Sequence, residues 1–291
     1  MPPRHLLLAL AVVAIWGSNF VVIKYALAVL PPMTLAVLRF AIAFVPACFL
    51  LARPAVRWQN LAGYGLFVAV GQFGLLYLAM RSEISPGLAS LVIQTQVFFT
   101  LLLAVRLNGE RVLPTQWLGL ALAVAGIAVI VTHTDGTTTP LGLAMVLAAA
   151  FSWACGNLVG KRAGPVNMLA YVVWSSAFAV PPLLLLALLV DGPDRIATAL
   201  AAADAGTWGA VLWQSFANTL FGYGCWAWLL ARHPAARIVP LALLVPVFGM
   251  GASALLLAEP LPAWKLLAAA LVLAGLAINL FGARLWPARR P

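Results

Sequence analysis

The chain has 291 residues, of which 64% are hydrophobic and only 8% are charged, and its mean hydropathy is +1.04. Soluble chains contain about 45–50% apolar residues, so this composition excludes a water-soluble fold and predicts an all-α polytopic membrane protein. The net charge of +10 does not indicate nucleic-acid binding, because the Lys and Arg residues stand singly or in pairs between apolar runs and therefore report membrane topology.

Pro, Gly and charged residues divide the apolar sequence into ten predicted transmembrane helices. They cover residues 6–28, 34–52, 61–80, 86–107, 114–133, 140–161, 168–190, 206–231, 235–257 and 262–284. The first run follows Arg4 and could be interpreted as a signal peptide. We favour a membrane helix, because about 20 residues rising 1.5 Å each cross the hydrocarbon core. The longest connection, from Asp191 to Ala205, is expected to lie on the membrane surface.

Basic residues accumulate in alternate connections. One side of the predicted membrane collects Arg4, Arg53, Arg57, Arg106, Arg111, Lys161, Arg162, Arg232, Arg237, Arg284, Arg289 and Arg290. The other side collects only Arg81, Arg195 and Lys265. Because the richer side is normally cytoplasmic, both termini are predicted to be cytoplasmic.

The chain repeats itself. Trp16 and Lys24 are eight residues apart, as are Trp153 and Lys161. Further matching pairs are Met33 to Pro46 with Met168 to Pro181, Val97-Phe98 with Val247-Phe248, and Glu110 to Gly126 with Glu259 to Gly275. The repeats would be residues 1–135 and 136–291, together forming one transmembrane domain around a central cavity. Since each half holds five spans, an odd number, the two halves are predicted to be inverted.

The WGSNFVVIK stretch in the first span, the two halves of five spans and the Glu before the fifth and tenth spans resemble the drug/metabolite transporter superfamily, in its EamA-type branch. Within that branch the chain is most similar to the YddG-like bacterial exporters of aromatic amino acids. The resemblance implies a secondary transporter of the bacterial inner membrane that exports amino acids, such as aromatic ones, Thr and Met, and related metabolites by alternating access. One departure is Gln96, where the family usually carries a Pro that Pro246 keeps in the ninth span. This puts hinge behaviour of the fourth span in doubt.

The spans contain amides, aromatic rings and two cations that could line a substrate site. The candidate substrate-binding residues are Trp16, Asn19, Lys24, Arg39, Gln72, Tyr77, Gln94, Gln96, Trp153, Asn157, Gln214, Asn218 and Tyr223. Trp16 and Asn19 share one helix face, as do Trp153 and Asn157. These faces serve either as cavity walls or as interhelical hydrogen-bonding contacts. The indole rings either stack on a planar substrate or pack between helices.

Lys24 and Arg39 belong to neither group of basic residues and lie a turn or more inside the outer ends of the first two predicted spans, where a charge costs about 2.5–3.5 kcal/mol on insertion scales. One interpretation is that their long side chains reach the outer interface. The other is an outer vestibule that attracts a carboxylate or another anion. The amides and hydroxyls of the remaining candidates can bind zwitterions without carrying charge.

No Asp or Glu lies inside a predicted span, and His5, His133 and His233 lie at span ends or in loops. A carboxylate or His proton relay and an intramembrane metalloprotease site are therefore not expected. We expect no catalytic residues, metal or cofactor, and no nucleic-acid partner. The expected partners are a small-molecule substrate and the lipid bilayer. The oligomeric state is left open, with a monomer as one alternative. Transport would follow the substrate's own gradient. The alternatives are export of nucleosides or drug-like compounds and, less favoured, an intramembrane enzyme.

Overall fold

The computed structural model describes residues 1–108, 113–133 and 137–285. Within these ranges the chain forms eleven helices and no sheet. They are α1 (Pro3–Leu27), α2 (Pro32–Cys48), α3 (Trp58–Ser82), α4 (86–108), α5 (Pro114–Val131), α6 (Pro140–Lys161), α7 (Met168–Asp191), α8 (Pro193–Ala202), α9 (205–232), α10 (235–257) and α11 (Ala263–Leu285). Each of the ten predicted spans corresponds to one helix, although α2 ends at Cys48 and the predicted span continues to residue 52. Helix α8 lies in the long connection between α7 and α9.

Eight of the helices in the described ranges are long and apolar enough to cross a membrane, namely α1, α3 to α7, α10 and α11. Helix α2 is apolar but has only 17 residues. Helix α9 is long but carries several buried polar side chains, including Gln214 and Asn218. The all-helical, polytopic membrane protein predicted from composition is confirmed.

Proline marks where many of these helices begin. Pro32, Pro86, Pro114 and Pro140 each occupy the first turn of a helix. Pro is favoured there because its missing N–H would have no intrahelical acceptor and its fixed φ is already helical. The predicted starts at residues 86, 114 and 140 consequently agree with the structure.

The helices form an antiparallel bundle with two ends. The face where α1 begins is called here the amino-terminal face, and the other is the opposite face. On the first, the rings of His5 and His233 bring the start of α1 to the end of α9, with 2.7 Å between Nδ1 and Nε2. On the second, the Thr139 hydroxyl before α6 donates to the carboxylate of Glu83 after α3 at 2.6 Å. The acids of the described residues, Glu83, Asp191, Asp194, Asp204 and Glu259, all belong to the opposite face.

Two pairs of helices depart from regular α geometry at similar places. Helices α3 and α9 each contain nine π-helical residues, Leu66–Gly74 and Trp213–Phe221. Helices α4 and α10 each contain a 3₁₀ segment, Ile93–Thr95 and Val239–Leu244. Such segments are frequent at functional sites and hinges. The α4 segment ends directly before Gln96, so this helix has a local break although it lacks the family's Pro.

Helices α5 and α11 pack closely through small residues. A side chain on Gly119 would come within 2.6 Å of the Gly275 carbonyl oxygen, and one on Gly126 within 3.0 Å of the Ala268 carbonyl oxygen. Small residues permit this backbone approach between membrane helices. In each helix the two contact positions are seven residues apart, so the contact pattern of α5 is repeated by α11 in the opposite direction.

Candidate functional site

Arg39 of α2 is the centre of a buried polar cluster. Its side chain is only 1% exposed. Nη1 donates to the Tyr77 hydroxyl at 2.9 Å, and Nη2 donates to Asn218 Oδ1 at 2.8 Å and to the Thr219 hydroxyl at 3.3 Å. The guanidinium thus joins α2 to α3 and α9, and its three acceptors are neutral oxygens.

The hydrogen-bond directions in the cluster are fixed by its other members. The Tyr77 hydroxyl donates its hydrogen to Gln214 Oε1 at 2.5 Å, and the Thr219 hydroxyl donates to the Gln214 carbonyl oxygen at 2.8 Å. Each hydroxyl has one hydrogen, so both oxygens present lone pairs to Arg39. The cluster is therefore organised to stabilise a positive charge.

Aromatic rings enclose the cluster. The guanidinium carbon of Arg39 lies 4.0 Å from the centre of the Phe73 ring, a cation–π distance. Trp16 of α1 donates its indole N–H to the Asn218 carbonyl oxygen at 3.1 Å, and its ring lies 5.6 Å from that of Tyr223. These contacts bring together six of the predicted residues, from α1, α2, α3 and α9: Trp16, Arg39, Tyr77, Gln214, Asn218 and Tyr223.

The π-helical segment of α9 explains how this helix supplies so many polar groups. Gln214, Ser215, Asn218 and Thr219 are all buried within it. The Ser215 hydroxyl donates to the Arg39 backbone carbonyl at 3.0 Å, which holds α9 against α2. The wider turn frees backbone groups that these side chains then satisfy, as in the bond from Thr219 to the Gln214 carbonyl.

A small cavity lies beside Arg39, between α2, α3, α7 and α9. Its walls include Tyr64, Phe73, Ser175 and Tyr223. The cavity offers about 10 Å³ to the centres of water molecules, which is room for roughly one water. This volume is far smaller than the central cavity of a transporter would need, so binding of a solute as large as an amino acid requires these helices to separate.

Asn157 and Gln96 form a second polar contact. Asn157 Nδ2 donates to Gln96 Oε1 at 2.8 Å and approaches the Thr100 hydroxyl at 3.3 Å. The contact joins α6 to α4 directly after the 3₁₀ segment. Both residues have found partners between helices, as the packing interpretation requires, and both remain partly exposed.

Lys24 lies apart from Arg39. Its ammonium group donates to the carbonyl oxygens of Met80 and Arg81 at 3.0 and 2.9 Å. A cation is stabilised there, because the last carbonyls of a helix lack intrahelical donors and carry partial negative charge. In this conformation Lys24 therefore binds the end of α3.

The remaining candidates are placed less distinctively. Asn19, Gln72 and Gln94 are buried, and in the part of the chain that the structure describes no donor reaches the side-chain oxygens of Asn19 and Gln72. Trp153 is half-buried and packs against the hydrophobic core. Unpaired buried acceptors are costly, so Asn19 and Gln72 are positions where a donor from water or a ligand would be stabilising.

Glu259, which in the sequence marks only the internal repeat, is the centre of a buried cluster. Its carboxylate accepts from the Ser85 hydroxyl at 2.5 Å, the Gly87 backbone N–H at 3.0 Å, the Lys265 ammonium at 2.9 Å and the Ser253 hydroxyl. Burial raises the pKa of this carboxyl, but the bonds from Lys265 and the other donors outweigh it and hold the pKa below its usual value. The cluster ties α10 and α11 to the start of α4. The corresponding Glu110 lies outside the described residues.

Phe73 and Thr219, which contact the Arg39 guanidinium, are not among the residues predicted from the sequence. Phe73 precedes Tyr77 by four residues, so helical spacing could have placed it on the same face. Thr219 directly follows Asn218, and only the π-helical turn brings both toward Arg39. Among the described residues, no three His, Cys, Asp or Glu side chains come together as a metal site would require.

An all-helical membrane bundle that buries polar groups beside a cavity is the arrangement of a membrane transport protein. The chain belongs to the EamA-like transporter family, which matches residues 4–132 and 140–281. This confirms the resemblance to EamA-type transporters found in the sequence.

The chain is 44% identical to the "Probable amino-acid metabolite efflux pump" of Salmonella typhimurium, over 95% of each chain. It is 42% identical to the protein of the same description from Escherichia coli, again over 95% of each. One crystal structure superposes with a TM-score of 0.65 over 98% of this chain and 99% of its own, at 18% identity, which shows a shared fold.

Replacing Tyr77 by Phe removes the hydroxyl that Arg39 and Gln214 share. Both groups are buried and would lose a partner, so we expect the free energy of unfolding to fall by about 1–3 kcal/mol. Thermal unfolding of the purified protein measures the loss. Tyr25→Phe is the control, because Tyr25 is 50% exposed. Equal stabilities of the two variants would show that the hydroxyl network contributes nothing.

Proposed function

We propose that this protein is a secondary transporter that exports neutral and aromatic amino acids, such as Thr, Met and Phe, and related small metabolites by alternating access. The observation that carries this proposal is the buried Arg39 cluster, which gathers a cation, amides, hydroxyls and aromatic rings at one point between α1, α2, α3 and α9. Such groups match the carboxylate, ammonium and side chain of an amino acid. The descriptions of the two relatives support the same substrate class.

The transporter would consist of two inverted halves of five membrane helices, residues 1–135 and 136–291. Three structural pairings support this arrangement: the π-helical segments of α3 and α9, the 3₁₀ segments of α4 and α10, and the reciprocal contacts of α5 with α11. Breaks in the long helices of both halves provide places where they could bend while the cavity changes its exposure.

The amino-terminal face would be cytoplasmic in a bacterial inner membrane. Among the described residues this face holds Arg4, Arg53, Arg57, Arg106, Lys161, Arg162, Arg232 and Arg237. The described acids lie on the opposite face, and an excess of Lys and Arg is the feature that orients membrane proteins. Export would then carry substrate from the amino-terminal face to the opposite face.

The substrate site would centre on Arg39, Tyr77, Gln214, Asn218 and Tyr223, with Trp16 stacking on the aromatic part of the cargo. Asn157 and Gln96 would line the path on the α4 and α6 side. Transport is facilitative in this proposal, because the acids of the described helices stand only at helix ends, where each of Glu83, Asp191 and Glu259 already has hydrogen-bond partners.

The test is uptake of labelled Thr, Met and Phe by liposomes that contain the purified protein. We expect uptake down the substrate gradient with equal pH on both sides, and none in protein-free liposomes. Uptake only in the presence of a pH gradient would refute the facilitative mechanism. Competition by unlabelled nucleosides but not by amino acids would instead favour the alternative cargo.

A further inference from the structure

We infer that Arg39 recognises the carboxylate of the cargo and that no charged group recognises its amine, so that N-acylated amino acids are substrates alongside free ones. The inference rests on the proposed transport function and specifies the substrate class of the same site.

Arg39 carries a positive charge that none of its partners among the described residues neutralises. The guanidinium is always protonated, it is almost fully buried, and its three hydrogen bonds all go to neutral oxygens. Five residues before Arg39 on α2, the N–H and hydroxyl of Thr34 donate to the Asp191 carboxylate at the end of α7 at 2.7 and 2.8 Å, so this acid already has its own partners. A buried cation without a counter-ion is unfavourable, and an anionic cargo would supply the missing charge.

The guanidinium also has donors to offer. Its Nε–H is buried and has no acceptor among the described residues, and Nη1 uses only one of its two hydrogens in the bond to Tyr77. Arg is the side chain whose planar fork matches a carboxylate. The Arg39 side chain lines the small cavity, where the Ser175 hydroxyl is a second buried group without a partner.

The site has an apolar wall next to this donor set. Phe73, Tyr64 and Tyr223 line the same cavity. A carboxylate bound by Arg39 would leave the rest of the cargo against aromatic rings once α3 and α7 move apart. The constellation therefore suits a monocarboxylate with an apolar or aromatic body.

In the part of the chain that the structure describes, no buried acidic side chain is left unpaired to bind an ammonium group. The acids there sit on the opposite face, and Glu83, Asp191, Asp204 and Glu259 each accept hydrogen bonds from protein donors. The unpaired acceptors within the bundle include the neutral amide oxygens of Asn19 and Gln72. An amide oxygen accepts from the N–H of an N-acyl group as well as from an ammonium, so acylation removes no charge pairing.

The experiment measures inhibition of labelled Met uptake by unlabelled Met, N-acetyl-Met and Met methyl ester in liposomes containing the full chain. We expect N-acetyl-Met to compete within about threefold of Met. The ester, which lacks the carboxylate, should be weaker by about tenfold or more, the size expected when a hydrogen bond to a charged group is lost. Direct uptake of labelled N-acetyl-Met then shows that it is carried and is not only an inhibitor.

An ester that competes as well as Met would overturn carboxylate recognition, and N-acetyl-Met that neither competes nor enters would overturn the indifference to the amine. In both cases Met itself still moves, so the proposed function survives. If no amino acid moves at all, the proposed function fails first.

Arg39→Gln separates recognition from a structural role. We expect the preference for Met over its ester to fall from about tenfold toward onefold in this variant, whereas a purely structural Arg39 would lower all uptake and keep the preference unchanged. Arg39→Lys retains the charge without the fork and should keep part of the preference. The comparison of ligands on the unmodified protein stands even if both variants fail to fold.

Discussion

Replacement of Glu259 by Gln is expected to lower the free energy of unfolding by about 3–5 kcal/mol, the cost of removing one partner from a buried ion pair. The Glu259 and Lys265 side chains are only 7% and 3% exposed, and their charged atoms are 2.9 Å apart. Gln keeps the shape but not the charge, so the Lys265 ammonium would stay buried without a counter-ion. Thermal or chemical unfolding in detergent measures the change.

Glu83→Gln provides the matched control. Glu83 also stands at a helix end on the opposite face, but its carboxylate accepts from the hydroxyls of Thr139 and Ser82. Losing those bonds should cost only about 0.5–1.5 kcal/mol. A double variant, Glu259→Gln with Lys265→Met, should recover most of the loss, because it leaves no unpaired charge and the Gln amide oxygen can still accept from the other donors. Similar stabilities for Glu259→Gln and Glu83→Gln would refute the importance of the ion pair.

The same carboxylate makes stability depend on acid pH. The pKa of Glu259 is lower in the folded protein than its usual value, so the ionised form favours folding. Its contribution is complete above the unfolded pKa of about 4.3 and is lost as the pH falls through the folded pKa. Unfolding titrations below that pH should show this component in the unmodified protein and lack it in Glu259→Gln.

Replacement of Gly249 by Ala is expected to destabilise the packing of α10 on α4 and α1 by about 1–3 kcal/mol, the usual cost of overpacking. A Cβ at Gly249 would collide with the side chain of Ser90. Helix α1 is packed equally closely against α10, because a Cβ on Gly17 would lie 2.5 Å from the Val245 carbonyl oxygen. There is little room for α10 to shift toward α1. Thermal unfolding and Met flux report the two consequences.

Gly251, on the same helix, faces open space, and a methyl group added there would have no atom within 4 Å. Gly251→Ala should therefore be neutral or stabilise the protein by up to about 1 kcal/mol, because Ala is the better helix former. This control separates steric conflict from a general effect of losing glycine in α10. A Gly249→Ala protein as stable as Gly251→Ala would mean that the three helices are not closely packed there.

The close packing and the Glu259 cluster lie toward the same end of the bundle. Residues 84–95, at the opposite-face end of α4, are all buried. In Val239–Leu244, at the amino-terminal end of α10, no residue is buried. Breaking the Glu259 contacts would thus first loosen the ends of α4, α10 and α11 on the opposite face. Met flux through Glu259→Gln should therefore differ from that of the unmodified protein.

The pattern of residues predicted much of this architecture because the relevant information is local. Long apolar runs must be helical in a bilayer, since every backbone N–H and C=O needs a partner within the segment. Proline at the first turn then fixes where α4, α5 and α6 begin. The π-helical segments could not be predicted from the sequence, because their apolar and polar residues are equally compatible with an ordinary α-helix.

The sequence predicted many of the residues of the candidate site, but not which of them contact each other. The i, i+4 spacing of Gln214 and Asn218 indicated a shared face, yet it could not reveal that this face meets Arg39. Lys24 and Arg39 looked alike in the sequence as cations toward one side of the membrane. In the structure Lys24 binds carbonyl oxygens at the end of α3, and Arg39 is buried among neutral oxygens.

By itself the sequence determined that this protein is an all-helical membrane protein, where its long helices run, and that acids stand only at their ends. Only the tertiary structure decided which polar groups meet, because helix rotation and a π-helical turn set the direction of each side chain, and each extra residue turns the following ones by about 100°. That rotation brings Tyr77, Asn218 and Thr219 together around Arg39. The result is a buried cation with an unused hydrogen-bond donor, which could not be predicted from the spacing of residues along the chain.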